Sequence, residues 1–314
     1  MEQLLPMWLG KMTKVKLPKW SLNLIKKLKQ LYGNPRFSKA LSIISVIYPL
    51  TLLYLSRKEI LKLEWSSFLR VFLLSLLIYY ISMSLQNIVW SLIIDGKFTR
   101  FLSNSQVYFQ TVLMKKLPGG VWHWLGRSSI YEVDFPDENR AVSKSNFIEW
   151  LILILTGLVG YLFTISPYLG VISFFFTVAI TTWLLRRNEE SLIKPLRLAV
   201  SIVILYLICW LAGGQILYWL LTEVQTTALV TFKTSFAIWC LSSAISMLLF
   251  IFPSGALIRD FSLAALMTNQ IELSKVSLVI LQVRVIFLAA DLFWSFLSLQ
   301  FLKLKKVRNT PKAN

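Results

Sequence analysis

The chain has 314 residues, of which 56% are apolar and only 15% charged, with a mean hydropathy of +0.64. Soluble domains carry about 25% charged residues, so these proportions exclude a disordered chain, a disulfide-stapled secreted scaffold and an ordinary soluble enzyme, and they predict an all-α polytopic membrane protein. The 33 Lys and Arg against 15 Asp and Glu give a formal charge of +18; no nucleic-acid recognition motif accompanies it, so it reads as charge facing anionic head groups and no nucleic-acid partner is expected.

In chain order, residues 1–37 form a basic arm, in which Lys11, Lys14, Lys16, Lys19, Lys26, Lys27, Lys29 and Arg36 stand against Glu2 among leucines and tryptophans. That composition predicts an amphipathic segment lying on the inner leaflet. A cleaved signal peptide is not expected, because the first long apolar run starts near residue 38 and no small-residue cleavage pattern follows it. Apolar runs near 38–56, 68–94, 147–165, 167–185, 197–220 and 276–302 are each long enough to cross about 30 Å of hydrocarbon as helix. These are six predicted spans.

Two further apolar runs are broken, 106–130 by Lys115-Lys116-Leu117-Pro118-Gly119-Gly120 and 231–268 by Phe252-Pro253-Ser254-Gly255. Proline removes a backbone donor and glycine permits a tight reversal, while non-helical backbone at membrane depth needs protein or a wet cavity around it. Each run therefore predicts a re-entrant helical hairpin. With both read this way, one side receives the arm, Lys97, Arg100, Arg140, Lys144, Arg186, Arg187 and a basic tail (303–314) holding Lys303, Lys305, Lys306, Arg308 and Lys312. The excess of Lys and Arg marks that side as cytoplasmic. The loop with Arg57, Lys58 and Lys62, partly offset by Glu59 and Glu64, is the exception. Three full spans separate the hairpins, so they enter from opposite faces, which predicts an inverted repeat with its site where interrupted helices meet near the midplane.

The stretch Lys116-Leu117-Pro118-Gly119-Gly120-Val121-Trp122-His123-Trp124-Leu125-Gly126-Arg127 resembles the signature of the lysylphosphatidylglycerol synthase transmembrane-region family. That family includes the flippase half of bacterial multiple peptide resistance factors and stand-alone flippase-like proteins. A second pattern of the family, Pro and Gly followed by an Arg and acidic pair opening a helix, is met by Pro253-Ser254-Gly255-Ala256-Leu257-Ile258-Arg259-Asp260. Arg284 answers to a downstream helix arginine and Glu149 to the acidic residue after the first hairpin. The resemblance covers a domain of about 38–302. It implies movement of a lipid, or of a lipid-linked amino acid or sugar, between the leaflets of a bacterial inner membrane. The aminoacyl-transferring domain of the full-length resistance factors has no counterpart in the chain, so synthesis of an aminoacylated lipid is not expected of it.

A lipid phosphate crossing hydrocarbon needs fixed positive charge and free backbone donors. In both motifs a Pro/Gly turn precedes the N-terminus of a half-helix, whose unpaired N–H groups and dipole favour an anion. The candidate phosphate-binding residues are Lys116, Gly119, Gly120, His123, Arg127, Gly255, Arg259 and Arg284, with Glu149, Asp260 and Asp291 as charge partners. Arginine stays charged on desolvation and grips phosphate bidentately. The competing role for Arg127 is to snorkel to the interface, and for Arg259 to pair only with Asp260. Charges at mid-helix cost at least about 2.5–3.5 kcal/mol each, so Glu149 is expected to pair with Arg127 or Arg284. His123, the one histidine in the sequence, either titrates and couples movement to protons or hydrogen-bonds a carbonyl at the helix break. Lys115 and Lys116 either draw an anionic head group in or anchor the chain at the interface.

Cys209 and Cys240 sit inside apolar runs and mark neither a disulfide framework nor a metal site, so no metal or cofactor is expected. One competing function is an integral membrane enzyme transferring a sugar or acyl group, with His123 and Glu149 as acid and base. The sequence carries no Asp-x-Asp pair, His-rich cluster, Gly-rich phosphate loop or Ser/His/Asp arrangement to support it. Another is a non-catalytic partner of a lipid- or glycan-modifying enzyme, docked through the basic arm. The leading expectation is a flippase or translocase for a phosphate-bearing lipid: a phospholipid, an aminoacylated lipid or a polyprenyl-phosphate-linked sugar.

Overall fold

The computed structural model describes residues 35–96, 100–116, 122–134, 139–186, 193–224, 230–249, 255–268 and 271–309. Among them are ten α-helices, one short 3-10 helix and no strand. The long helices are α1 (Pro35–Leu61), α2 (Trp65–Asp95), α5 (Asn139–Ile165), α6 (Pro167–Leu185), α7 (Ile193–Val224) and α10 (Leu273–Asn309). The short ones are α3 (Phe101–Gln110) with the 3-10 turn Val112–Lys116, α4 (Trp122–Asp134), α8 (Phe232–Leu248) and α9 (Gly255–Met267).

Five helical stretches are long and apolar enough to cross a membrane: Trp65–Asp95, Val142–Ile165, Pro167–Leu185, Ile193–Val224 and Leu273–Ser298. A helix satisfies all its own interior backbone donors and acceptors, which hydrocarbon requires of any spanning segment. Their outward faces match that solvent. Leu69, Leu73, Leu77 and Ile81 of α2, and Tyr168, Ile172, Phe175, Phe176 and Trp183 of α6, are exposed; apolar surface on that scale is unfavourable in water and suited to lipid. The protein is an all-helical polytopic membrane protein. The predicted run near 38–56 falls within α1, where the side chains of 35–42 and 44–46 lie outside the described residues. The basic arm to residue 34 lies outside them too, and α10 carries its helical backbone through most of the predicted tail, to Asn309.

The broken runs are helical on both sides of their breaks, and none of the four flanking helices reaches the ~20 residues a span needs: α3 has 10, α4 13, α8 17 and α9 13. At 1.5 Å per residue they extend roughly 15–25 Å. The breaks at 117–121 and 250–254 lie outside the described residues. The first run opens earlier than its apolar stretch predicts, at Phe101 rather than 106. Its added turn is polar but satisfied, because Asn104 Nδ2 donates to Asp95 Oδ2 at 2.8 Å and Asn87 Nδ2 to Ser105 Oγ at 2.7 Å.

Small residues bring α8 into the centre. An added Cβ at Gly160 of α5 would press on Cys240 Sγ and Phe236, and one at Gly213 or Gly214 of α7 would overlap Trp239 or Phe236. Close approach through such small-residue grooves is how helices gain contact where lipid removes the hydrophobic drive. The main core then forms between α7, α8 and α10, with Leu217, Leu220, Phe236, Trp239, Val279, Val283 and Phe287.

Candidate functional site

The first motif builds a closed charge cluster. Arg127, about one turn and a half into α4, is 1% exposed, and its Nη1 donates to Glu149 Oε2 of α5 at 2.5 Å. Glu149 is itself 3% exposed. The guanidinium also lies 4.7 Å from the Trp90 ring centroid and 4.2 Å from that of Tyr108, within cation–π range. Asn146, one turn before Glu149 on α5, ties the cluster together. Its Oδ1 accepts from Trp90 Nε1 at 3.0 Å and its Nδ2 donates to the Trp124 carbonyl at 3.2 Å. Of the two partners the sequence offered for Glu149, the structure selects Arg127.

The second motif shares its charge. Asp260 of α9 is 0% exposed; Arg284 Nε of α10 donates to its Oδ2 at 2.5 Å, and Arg259 Nε stands 3.6 Å from its Oδ1, beyond hydrogen-bond length. Arg284 is covered by the Tyr48 ring of α1 at 4.6 Å. Arg259 lies between the rings of Trp239 and Phe287, at 5.3 and 5.1 Å, and its buried Nε has no hydrogen-bond partner.

Between the two motifs is a cavity of about 290 Å³. It is lined by His123 and Trp124 of α4, Glu149 and Trp150 of α5, Arg259 of α9, Asp291 of α10, and by Tyr79, Gln86, Trp210, Ser243 and Trp239 from α2, α7 and α8. Asp291, 1% exposed, accepts the Tyr79 hydroxyl at 3.4 Å. Of the residues singled out from sequence, His123, Glu149, Arg259 and Asp291 come together here. Arg127 stands behind the wall, held by Glu149, and Arg284 and Asp260 stand behind Arg259. Gly255 opens α9 four residues before Arg259. Gly119, Gly120 and the Lys115 and Lys116 side chains lie outside the described residues. Among the described side chains of this region, Glu149 pairs with Arg127, while Asp260 pairs with Arg284 and, at 3.6 Å, with Arg259.

Sequence reading passed over the aromatic wall, since single tryptophans in apolar helices read as interface belt residues. It also passed over Asn146, Gln86 and Asn87. Their signal was available: amides inside apolar runs need partners, and Asn146 lies three residues before Glu149 on one helix face. No group of three or more His, Cys, Asp or Glu placed to hold a metal occurs among the described residues. No protein-family model, curated protein or solved structure matches the chain.

Proposed function

We propose that this protein is a lipid flippase or translocase of the lysylphosphatidylglycerol synthase transmembrane-region type, moving a phosphate-bearing lipid between the leaflets of a bacterial inner membrane. In this reading α1 is a sixth span, α3–α4 and α8–α9 are re-entrant hairpins entering from opposite faces as an inverted repeat, and both termini are cytoplasmic. A lipid- or glycan-modifying enzyme would supply or consume the cargo.

The observation that carries the reading is Arg259. Arg259 lines the central cavity from a helix too short to span; its Nε stands 3.6 Å from Asp260 Oδ1 without a hydrogen bond, and Arg284 already holds the other Asp260 oxygen. A fixed cation whose donor is not consumed is what an entering phosphate requires, and it is strongest in a desolvated site. Arg127 has a different task, bonding α4 to α5 through Glu149 and so fixing one wall. The volume of about 290 Å³ lies at the low end for a small-molecule site, about 300–1,000 Å³, which accommodates a head group while the acyl or prenyl chains stay in the bilayer.

The test is reconstitution into vesicles with fluorescent phospholipids and prenyl phosphates, read by chemical bleaching of the outer leaflet. The wild-type protein moves at least one of these lipids, and Arg259→Gln slows it by about 100-fold, on the order of the loss of one buried charge-assisted pair. Equal rates in the two proteins, or protein-free rates with every lipid, remove the proposal.

A further inference from the structure

We infer that the cavity is built for a sugar carried on the phosphate, so that the cargo is a glycosyl phosphate lipid rather than a plain phospholipid. The inference rests on the phosphate-lipid reading above and extends it to the head group. A phosphate needs the guanidinium of Arg259, but that accounts for only one part of the lining. The rest includes four aromatic side chains, Trp124, Trp150, Trp210 and Tyr79, together with hydrogen-bonding groups: Ser243, Gln86, the Arg127-paired carboxylate of Glu149, and Asp291, which accepts the Tyr79 hydroxyl. A pyranose presents the complementary pattern: flat C–H faces that stack on indole rings, and an edge of hydroxyls that both donate and accept. A glycerol phosphate head group has no such face.

The polar groups fit hydroxyls more closely than a second charge. Ser243, 6% exposed, lines the cavity with a buried Oγ that has no hydrogen-bond partner; buried hydroxyls are rarely left so, and a ligand hydroxyl would complete it. Gln86 lines the same cavity, donating to Ser82 Oγ at 3.4 Å and accepting from the Tyr108 hydroxyl at 3.3 Å. Glu149 keeps acceptor lone pairs while its charge is matched by Arg127 at 2.5 Å, so it can receive sugar hydroxyls without demanding a cation. An ammonium head group would also be drawn to rings and carboxylates. Here the faces of Trp239 and Phe287 are already taken by the Arg259 guanidinium, which repels a second cation.

Native mass spectrometry of the full-length protein in detergent tests this, titrating a short-chain prenyl phosphate bearing a hexose, the same prenyl phosphate without it, and phosphatidylethanolamine. The hexosyl lipid is expected to bind about tenfold more tightly than either of the others, the worth of a few net hydrogen bonds. Ser243→Ala, which removes a hydroxyl that bonds to nothing in the protein, and Trp150→Phe each cut that preference to about threefold or less. Arg259→Gln weakens both prenyl phosphates by a similar factor. Equal affinity for the two prenyl phosphates, a preference for phosphatidylethanolamine, or an unchanged preference in both wall variants overturns the sugar assignment. Weakening of both prenyl phosphates by Arg259→Gln would, in those cases, leave the phosphate reading standing. Failure of both prenyl phosphates to bind, with no effect of Arg259→Gln on any lipid, sinks the phosphate reading and the sugar assignment together.

Discussion

The two broken segments carry the same kind of residue, an arginine about one to two turns past a Pro/Gly break, and use it in opposite ways. In the first, Arg127 is enclosed by Glu149, Asn146, Trp90 and Tyr108 and does not reach the cavity. In the second, Asp260 is held by Arg284 from α10, and Arg259 is left at 3.6 Å with its guanidinium on the cavity wall. The difference lies in who supplies the partner carboxylate. Glu149 comes from a neighbouring helix and points at Arg127, whereas Asp260 is Arg259's own chain neighbour and cannot be shared on equal terms with the better-placed Arg284. A motif alone therefore does not decide whether its arginine fastens helices together or waits for a ligand.

Breaking the first cluster is the largest expected effect. Arg127→Met leaves the buried Glu149 carboxyl without its guanidinium, and loss of one partner from a buried pair costs about 3–5 kcal/mol. Replacing both, in Arg127→Met/Glu149→Leu, is expected to recover most of that, because it removes the uncompensated carboxyl as well as the pair. Thermal unfolding in detergent followed by size-exclusion chromatography reads both. A single variant as stable as wild type would show the cluster to be no fastening at all.

Arg284→Gln comes next and sharpens the contrast. It withdraws the guanidinium that holds Asp260 Oδ2, and the remaining partner within reach is Arg259. A charge-assisted hydrogen bond is worth about 1.5–3 kcal/mol, and a loss toward the lower end is expected because Arg259 takes over part of the role. The same shift draws Arg259 off the cavity wall, so lipid movement falls about tenfold although Arg284 does not line the cavity. If transport is unaffected while stability drops, the sharing of Asp260 does not control Arg259.

Much of this was legible in the sequence, and the residues show where legibility stopped. Long apolar runs marked the five long apolar helical stretches, and a sixth run near 38–56 that falls within α1, because hydrocarbon leaves a spanning backbone almost no choice but helix, and the Pro/Gly breaks marked the short helices. His123, Glu149, Arg259 and Asp291 stood out as ionisable or polar groups within apolar surroundings, and they converge on one cavity. The division of labour between Arg127 and Arg259 was hidden, since it depends on the rotation of α4 against α5 and of α9 against α10, which no local pattern encodes. The aromatic wall was hidden for a related reason: a tryptophan facing lipid and one facing a cavity occupy the same kind of apolar helix position. Asn104 and Ser105 masked the true start of α3, because their polarity is satisfied by Asp95 and Asn87, residues from the preceding helix.

Two smaller perturbations act on the elements that position Arg259. Gly213→Ala places a methyl group against the Trp239 indole, one of the two rings that hold the Arg259 guanidinium. Overpacking of this kind costs about 1–3 kcal/mol, and the displaced ring is expected to lower lipid movement more than stability. Thr231→Ala should do less. Thr231 caps α8, its Oγ1 accepting the Thr234 N–H at 3.2 Å, and removing such a cap costs about 1 kcal/mol. The cap is exposed, so water replaces much of what is lost and the rest of α8 stays packed in the glycine grooves of α5 and α7. The loss should thus appear as faster hydrogen exchange confined to the first turn of α8, with lipid movement close to wild type. Faster exchange spreading through Trp239 and into α9 would mean instead that the second broken segment depends on its entry turn, and that the grooves alone do not hold Arg259 at the cavity.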